Sequence, residues 1–204
     1  MNFPTRMEIR DQYPPSSHNS CIMFTEVAGY TRLVDKDQEA TMKLLACNRH
    51  LHKFFVNKYG GQLIKEMGDS MLLRFNSAQN AVDCAGDLQK GLKSMYDLQL
   101  SIGIHKGEVI FFNDDVFGNV VNIASRIQNY AHQGQILVSE AVANEVVRSD
   151  SMKMRCLGCK KFKNIRQKIK TYLIKHNGIK PQTHHFIEGR IIAAISILFG
   201  LPGI

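Results

Sequence analysis

The sequence predicts an α+β fold, a ferredoxin-like β-α-β-β-α-β sandwich with additions at its C-terminal side. Short apolar or alternating runs, typical of strands, are interleaved with longer segments in which apolar residues recur at helical spacing. Two of the strand-like runs are folded about Gly68-Asp69, which is a hairpin signal. Strands and helices mixed in this order, with hairpins included, favour this class of sandwich.

The first half of the pattern predicts β-α-β-β. The run CIMF, from Cys21, indicates a short buried strand, and Asp35 then opens a helix that Gly60-Gly61 end. The apolar positions of that helix are Leu44, Leu51 and Phe55. The segment QLIKEMGDSMLLRF follows, and its two runs predict the hairpin that turns at Gly68-Asp69.

The second half of the pattern predicts α-β and further elements. Ser77 is a good N-cap for a helix from Ala78 to about Leu92. The segment LQLSIGIHKGEVIFF then supplies two strand-like runs with Gly107 between them. A helix over 119–130, a strand at QILVS and a helix at EAVANEVV complete the pattern.

The chain is long enough for one globular domain with tails. Its 204 residues are 44% hydrophobic, which is sufficient for a real core. Residues 1–20 contain Pro14 and Pro15, lack the apolar region of a signal peptide, and predict a flexible lead-in. The domain is expected over 21–174, followed by a basic and polar linker over 175–190 and an apolar segment over 191–204.

Charge and cysteine content restrict the partners and the compartment. The formal net charge is +8, but the excess lies mostly between Lys153 and Arg190, where Glu188 is the only acidic residue. Because these basic residues lie mainly in the tail, no nucleic-acid partner is expected. Five cysteines without a framework of spacings are typical of reduced thiols, and a cytoplasmic location is expected.

The apolar C-terminal segment, from Ile191 to Ile204, is shorter than the roughly 20 residues that span a bilayer. Three interpretations of it remain: a packed helix, an interfacial anchor, or the first part of a transmembrane helix. A basic stretch directly before an apolar one is typical of the cytoplasmic flank of a membrane segment. The tail therefore favours association with an anionic membrane surface, at the inner face of the cell membrane.

Two carboxylates are placed where they could converge on a metal ion. Glu26 stands at the end of the first strand, where a charge is costly unless it is paired or coordinates a cation. Asp69 stands at the tip of the hairpin that can lie beside that strand. Mg²⁺ takes few protein carboxylates and completes its octahedron with water and phosphate oxygens. The alternatives are ordinary turn chemistry for Asp69 and a surface carboxylate for Glu26.

A second polar group lies on the predicted helix over 119–130. Asn122 and Arg126 are four residues apart and therefore share one helix face. An amide and a planar guanidinium together suit a ribose oxygen and a phosphate. A polar helix face in solvent is the alternative interpretation.

Read in order, these fragments resemble the catalytic domain of the class III nucleotidyl cyclases, particularly the bacterial adenylate cyclases. The match runs from about Ile22 to Leu173. The segments that carry it are FTEVAGYT, similar to the family's FTDIVGYT, then LIKEMGDSMLLRF, SIGIHKGEV, DVFGNVVNIASRI, QILVSEAV and finally FKNIRQKIKTYLI. Single motifs are weak, but six in the correct order and spacing are strong. The resemblance implies the class III cyclase fold.

The resemblance also implies a site residue by residue. The two acidic residues that bind two divalent cations, Mg²⁺ or Mn²⁺, around the triphosphate of ATP fall on Glu26 and Asp69. The positions that read the base fall on Lys65 and Asp115. Lysine can only donate, matching adenine N1, and an ionised aspartate can only accept, matching the 6-amino group. ATP is therefore expected as the substrate in preference to GTP.

The remaining implied roles concern the ribose and the phosphates. Asn122 corresponds to the residue that orients the ribose, Arg126 to the one that stabilises charge on the transferring phosphorus, and Lys163 to the lysine that meets the terminal phosphates. In the family, the metal residues and the ribose and phosphate residues of one site come from different subunits. The resemblance thus implies a head-to-tail homodimer with two shared sites.

Two functions of different classes follow from this reading. The first is an adenylate cyclase in cyclic nucleotide signalling. The second is a catalytically silent cyclase-like module that dimerises or binds nucleotide for regulation, because Glu26 stands where the family has aspartate. Weak activity with Mg²⁺ and a large gain with Mn²⁺ are expected from the longer side chain.

Overall fold

The computed structural model of the protein describes residues 16–112, 115–147 and 152–176. Within them the strands are β1 (Ser16–Val27), β2 (Gln62–Met67), β3 (Ser70–Phe75), β4 (Leu100–Phe112), β5 (Asp115–Phe117), β6 (Ile136–Ser139), β7 (Met152–Lys161) and β8 (Lys168–His176). The helices are α1 (Tyr30–Lys36), α2 (Gln38–Lys58), α3 (Ala78–Tyr96), α4 (Asn119–Tyr130) and α5 (Glu140–Ala143). The predicted C-terminal segment over 191–204 and nearly all of the predicted linker lie outside these residues. No described helix is both long and apolar enough to cross a membrane.

The strands form one mostly antiparallel sheet. Their order is β2-β3-β1-β4-β6-β8-β7, and β5 pairs with β4 outside this path. The first strand lies in the middle of the β3-β1-β4 group and pairs antiparallel with both neighbours. Among the strands that the structure describes, only β4 and β6 pair in parallel. The predicted α+β sandwich is confirmed, and the strand that carries Glu26, β1, lies between β3 and β4.

The two faces of the sheet have different coverings. Met23 and Val27 of β1 belong to the main core, which is formed with residues of α2, α3 and α5. Ile22 belongs to a second apolar cluster, together with Ala124 of α4 on the opposite face. Because side chains alternate along a strand, Glu26 lies on the same face as α4. The candidate site therefore lies on the face that a single helix covers.

Several element boundaries differ from the predictions. The long helix does not open at Asp35, because a short helix, α1, precedes it and the side chain of Asp37 caps α2 by accepting from Ala40 N at 2.9 Å. The first strand begins at Ser16, so residues 16–20 of the expected lead-in pair with β4. The final helix ends at Ala143, and Val147 N instead donates to the Gln79 side chain.

The segment LQLSIGIHKGEVIFF forms one strand rather than two. Every residue of β1 pairs with β4, and Gly107 lies inside this ladder opposite Ser20. Gly107 does not make a turn, and a Cβ at this position would lie 2.7 Å from Val120 Cγ2. The glycine is explained by the close approach of α4 to the strand, which the local pattern does not reveal.

We expect Gly103→Ala to lower the free energy of unfolding by about 3 kcal/mol, because overpacking forces the backbone to move. A Cβ at Gly103 would lie 2.1 Å from Gln128 N and 2.6 Å from Ala124 O, so helix α4 would have to shift. Denaturant unfolding measures this change. The control is Gly91→Ala in α3, where the new Cβ meets side chains and no backbone, the Phe55 ring at 3.2 Å and Leu51 Cδ1 at 3.9 Å. A wild-type unfolding midpoint for Gly103→Ala would contradict the prediction.

Candidate functional site

The two predicted metal-binding carboxylates lie side by side. Glu26 is paired with Ser70 across the β1–β3 ladder, and Asp69 directly precedes Ser70 in the hairpin turn. Val27 N donates to the backbone oxygen of Asp69 at 3.3 Å. Gly68 adopts the left-handed conformation, with φ of 65°, that this turn requires. The hairpin therefore brings Asp69 to the end of β1, where Glu26 stands.

The environment of the two carboxylates fits a divalent cation. Partial burial raises the pKa of Asp69, and the nearby charge of Glu26 raises it further, while a backbone N–H lowers it. The two half-buried carboxylates repel each other, and a cation bound between them would remove that repulsion. No cluster of three or more His, Cys, Asp or Glu occurs among the described residues. Mg²⁺ needs no such cluster, since it is commonly bound through one or two carboxylates plus substrate phosphates.

A glutamine that the sequence did not single out holds Glu26. Gln128 Nε2 donates to Glu26 Oε2 at 2.8 Å and to Ser101 Oγ at 2.9 Å. Gln128 is only 6% exposed, although it contacts a candidate ligand. The two partners are 102 residues apart in the chain, so no local spacing could have indicated the contact.

The opposite side of β1 is anchored by a buried histidine. His52 Nδ1 lies 2.8 Å from the backbone oxygen of Asn48, and its Nε2 lies 2.9 Å from Thr25 Oγ1. A carbonyl oxygen only accepts, so Nδ1 carries the proton, and Nε2 accepts from the Thr25 hydroxyl. Burial lowers the pKa of His52 to about 4, which keeps the ring neutral at physiological pH. Thr25 and Glu26 are thus restrained from both faces of the sheet.

The two residues expected to read the base form an ion pair. Lys65 Nζ donates to Asp115 Oδ2 at 2.6 Å, and Val116 N donates to Asp115 Oδ1 at 2.9 Å. These two hydrogen bonds, the one from Lys65 above all, hold the pKa of Asp115 below its usual range. The Lys65 and Asp115 side chains are 51% and 31% exposed, so a ligand can reach both. The ammonium keeps protons to donate and the carboxylate keeps lone pairs to accept.

Asn122 and Arg126 lie together on α4, away from the carboxylates. The helix residues that pack towards the sheet include Val120, Ala124 and Gln128. Arg126 precedes Gln128 by two positions, which turns it about 200° around the helix. Within the part of the chain that the structure describes, neither Asn122 nor Arg126 has a hydrogen-bond or ion-pair partner.

Lys163 lies in the turn between β7 and β8, close to α4. Phe162 packs with Ile123 and Ile127 of α4 in a third apolar cluster, and its ring contacts that of Tyr130. Lys163 follows Phe162 and is exposed. The turn contains Asn164, whose φ is 64°, a conformation that asparagine tolerates better than most residues. The packing of Phe162 places Lys163 on the side of the molecule that carries α4.

One chain brings together some of the predicted residues and not others. Glu26 meets Asp69, and Lys65 meets Asp115. The guanidinium of Arg126 is turned away from the helix face that touches Glu26. A single protomer thus carries both groups of residues without assembling them around one point.

Comparison with known proteins identifies the family. The sequence model described as adenylate and guanylate cyclase catalytic domain matches residues 12–176. A putative adenylate cyclase of Rhizobium meliloti is 29% identical over 158 residues, which cover 74% of this chain and 27% of that protein. An adenylate cyclase of Streptomyces coelicolor is 31% identical over 128 residues, which cover 62% of this chain and 34% of that protein. The chain spans about a quarter to a third of the length of these relatives.

Solved structures share the fold. An adenylate/guanylate cyclase/hydrolase from Silicibacter pomeroyi has a TM-score of 0.70 and 31% identity, over 79% of this chain and 99% of that one. The adenylyl cyclase CyaB from P. aeruginosa has a TM-score of 0.72 over 80% of this chain and 96% of that one, and at 21% identity it shows the fold alone. The resemblance seen in the sequence is confirmed, and the chain belongs to the family of adenylate and guanylate cyclase catalytic domains.

Proposed function

We propose that the protein is an adenylate cyclase that converts ATP to 3′,5′-cyclic AMP and pyrophosphate. The observation that carries this choice of base is the Lys65–Asp115 ion pair. Adenine presents an acceptor at N1 and a donor at its 6-amino group, which match an ammonium and a carboxylate placed side by side. Guanine presents the opposite pattern, so both contacts would be mispaired.

Glu26 and Asp69 are the residues proposed to hold two divalent cations, Mg²⁺ or Mn²⁺. Bound there with the triphosphate, two metals would stabilise the attacking and leaving oxygens of an in-line displacement. The chain's own part is to keep two carboxylates adjacent at the end of β1, on a hairpin and a central strand. In the reaction the ribose 3′-oxygen forms a bond to the α-phosphorus, the bond from that phosphorus to the bridging oxygen breaks so that pyrophosphate leaves, and the 3′-hydroxyl proton is released to water.

The α4 face is proposed to act on the ribose and the phosphates. Asn122 would orient the ribose, the guanidinium of Arg126 would stabilise the charge on the α-phosphoryl group, and Lys163 would meet the terminal phosphates. Because Arg126 is turned away from Glu26 within one chain, we assign it to the site of a second copy. A homodimer with two shared sites results.

Exposed apolar side chains support an interface between two copies. Ile110, Phe112 and Phe117 of the paired strands β4 and β5 are 44%, 37% and 49% exposed. Large apolar residues grouped on a surface are typical of protein contacts. They lie on the same strands as Asp115, close to the proposed base-binding pair.

The proposal is tested with purified protein, ATP and either Mg²⁺ or Mn²⁺, by measuring cyclic AMP. Cyclic AMP formed in proportion to protein, and lost in Asp69→Ala, is the expected result. Nucleotide binding without product under both metals would instead support a catalytically silent regulatory module. The observation that favours this second function is Glu26 itself, which replaces the family's aspartate and is engaged by Gln128.

We expect Glu26→Asp to raise the Mg²⁺-dependent rate and to narrow the gap between Mn²⁺ and Mg²⁺. Glutamate places its carboxylate one methylene further from the strand, and Mg²⁺ tolerates displaced ligands poorly because it demands near-ideal octahedral geometry. Initial rates with saturating ATP over a range of each metal measure the effect. The control is Glu66→Asp in β2, which is separated from β1 by β3; its partner is Arg49 and not Asp69. A fall in Mg²⁺ activity for Glu26→Asp would contradict this account.

A further inference from the structure

The contact between Gln128 and Glu26 joins two parts of the fold that the proposed chemistry uses separately. Glu26 is the last residue but one of β1, and Gln128 lies near the end of the helix that carries Asn122 and Arg126. We infer that Gln128 is a positioning residue that orients the Glu26 carboxylate towards a divalent cation. The inference rests on the proposed metal-binding role of Glu26.

The amide of Gln128 can be placed in only one orientation. The Glu26 carboxylate accepts hydrogen bonds and donates none when ionised, so the amide must present its nitrogen. Both amide protons are then used, one on Glu26 Oε2 and one on Ser101 Oγ. A flipped amide would set its oxygen against the carboxylate. The Ser101 contact therefore helps to hold the donor on Glu26.

The Gln128 amide is held in a fixed position because α4 packs closely against β4. Gly103 lacks a side chain at the point where the backbone of Gln128 and Ala124 crosses the strand. Ala124 is fully buried and Gln128 nearly so. A donor on a buried, tightly packed helix can fix a ligand more accurately than one on a loop.

Glutamate has a particular need for such a partner. It has one more rotatable bond than aspartate, so an unrestrained carboxylate at this position would sample more orientations. Gln128 engages Oε2 and leaves Oε1 without a partner among the described residues. One oxygen is thus held while the other stays available to a cation. Aspartate at the same position is shorter and cannot reach the Gln128 amide in the same way. Because it has fewer rotatable bonds, its carboxylate also depends less on a hydrogen-bond partner for its orientation.

The test measures Mn²⁺ binding to the full chain, using the electron paramagnetic resonance signal of free Mn²⁺ in the presence of 3′-deoxyATP, which cannot cyclise. Gln128→Met keeps the length of the side chain and removes both donors. It is expected to weaken Mn²⁺ binding about tenfold, as is typical when a partner that orients a metal ligand is lost. Unchanged binding by the folded variant would overturn the inference.

The matched control is Gln89→Met. Gln89 is also buried and also makes two hydrogen bonds, to the backbone oxygen and nitrogen of Leu100, but it does not contact Glu26. Its loss is expected to lower the melting temperature without changing Mn²⁺ binding. Equal weakening in Gln89→Met and Gln128→Met would show a general structural effect and overturn the inference.

A double variant separates positioning from packing. In a Glu26→Asp background, Gln128→Met is expected to change Mn²⁺ binding by less than about twofold, because the shorter carboxylate no longer depends on the amide. A tenfold loss of Mn²⁺ binding in the Glu26→Asp background would show that Gln128 does not act through the Glu26 carboxylate, and would contradict the inference. If Gln128→Met does not fold, Ser101→Ala replaces it, because this substitution removes the other acceptor of the amide. Ser101→Ala is expected to weaken Mn²⁺ binding about threefold. Unchanged Mn²⁺ binding by Ser101→Ala would then contradict the inference.

The same titration distinguishes this inference from the proposed function. A wild-type protein that binds Mn²⁺ with 3′-deoxyATP but makes no cyclic AMP from ATP would contradict the enzyme activity, while a weakened Gln128→Met would still support positioning. A wild-type protein that binds no Mn²⁺ would overturn both.

Discussion

Mixing the Asp69→Ala and Arg126→Ala proteins is expected to restore cyclase activity that neither protein has alone. Each substitution should lower the rate on the order of a hundredfold or more, because Asp69 is proposed to hold the cations, Arg126 is proposed to stabilise charge on the phosphoryl group, and both sites of the proposed homodimer need both residues. In a mixed dimer one site loses both groups and the other keeps both. Random pairing of equal amounts should then recover about one quarter of the wild-type rate.

This expectation follows from the geometry of α4. Gln128 of the helix touches Glu26, whereas Arg126 lies about 200° around the same helix and faces away. If the triphosphate lies at Glu26 and Asp69 as proposed, a guanidinium on that side is expected to reach the phosphates of a nucleotide bound by a second copy. The measurement is cyclic AMP production after equal amounts of the two differently tagged proteins have been mixed, and isolated heterodimers should reach about half of the wild-type rate.

The matched control mixes Asp69→Ala with Glu26→Ala. Both substitutions lie in the same carboxylate pair, so every site of the mixed dimer lacks one of the two carboxylates and no activity should return. Recovery in this control, or no recovery in confirmed Asp69→Ala and Arg126→Ala heterodimers, would contradict the shared-site arrangement.

Replacing the base-reading pair is expected to remove the preference for ATP. In the unmodified protein GTP would leave both Lys65 and Asp115 mispaired, at about 1–3 kcal/mol for each buried contact. Together these contacts predict kcat/KM for ATP at least roughly thirtyfold above that for GTP. Lys65→Glu with Asp115→Ser presents an acceptor and a donor, which match guanine N1–H and O6. The ATP to GTP ratio of kcat/KM should fall to about one or below.

The control for nucleotide choice is another ion pair. Lys106 and Glu145 are joined in the same way, and Lys106→Glu with Glu145→Ser makes the same two chemical changes outside the base-binding pair. This variant should keep the ATP preference. Equal rates with ATP and GTP in the unmodified protein would refute the assignment of Lys65 and Asp115.

Local patterns were sufficient for much of the fold. The hairpin at Gly68-Asp69, the Ser77 cap and the helix over 119–130 are confirmed. Each depends on neighbouring residues alone: a turn glycine, a side-chain oxygen three positions before an exposed N–H, or apolar residues at helical spacing. The interpretation of Gly107 as a break between strands was wrong because its cause is the helix packed above it.

The candidate site could be predicted only in part. The order of motifs was enough to select Glu26 and Asp69, and the hairpin beside β1 was enough to place them together. The family resemblance gave Lys65 and Asp115 the same expected role, but only the structure showed their ion pair, since residues 50 positions apart have no local signal that joins them. Gln128 was missed because its spacing from Arg126 carries no pattern and its partner lies on another element.

The sequence by itself determined the class of fold, its family and the elements on which the candidate residues lie. Those features depend on periodicity, turn chemistry and motif order, which are properties of short stretches of chain. Only the tertiary structure decided that Lys65 neutralises Asp115, that Gln128 holds Glu26, and that the helix carrying Arg126 turns this residue away from the carboxylates. The physical reason is that hydrogen bonds and ion pairs form over about 3 Å in space, whatever the distance along the chain, so they exist only once the sheet and α4 have packed together.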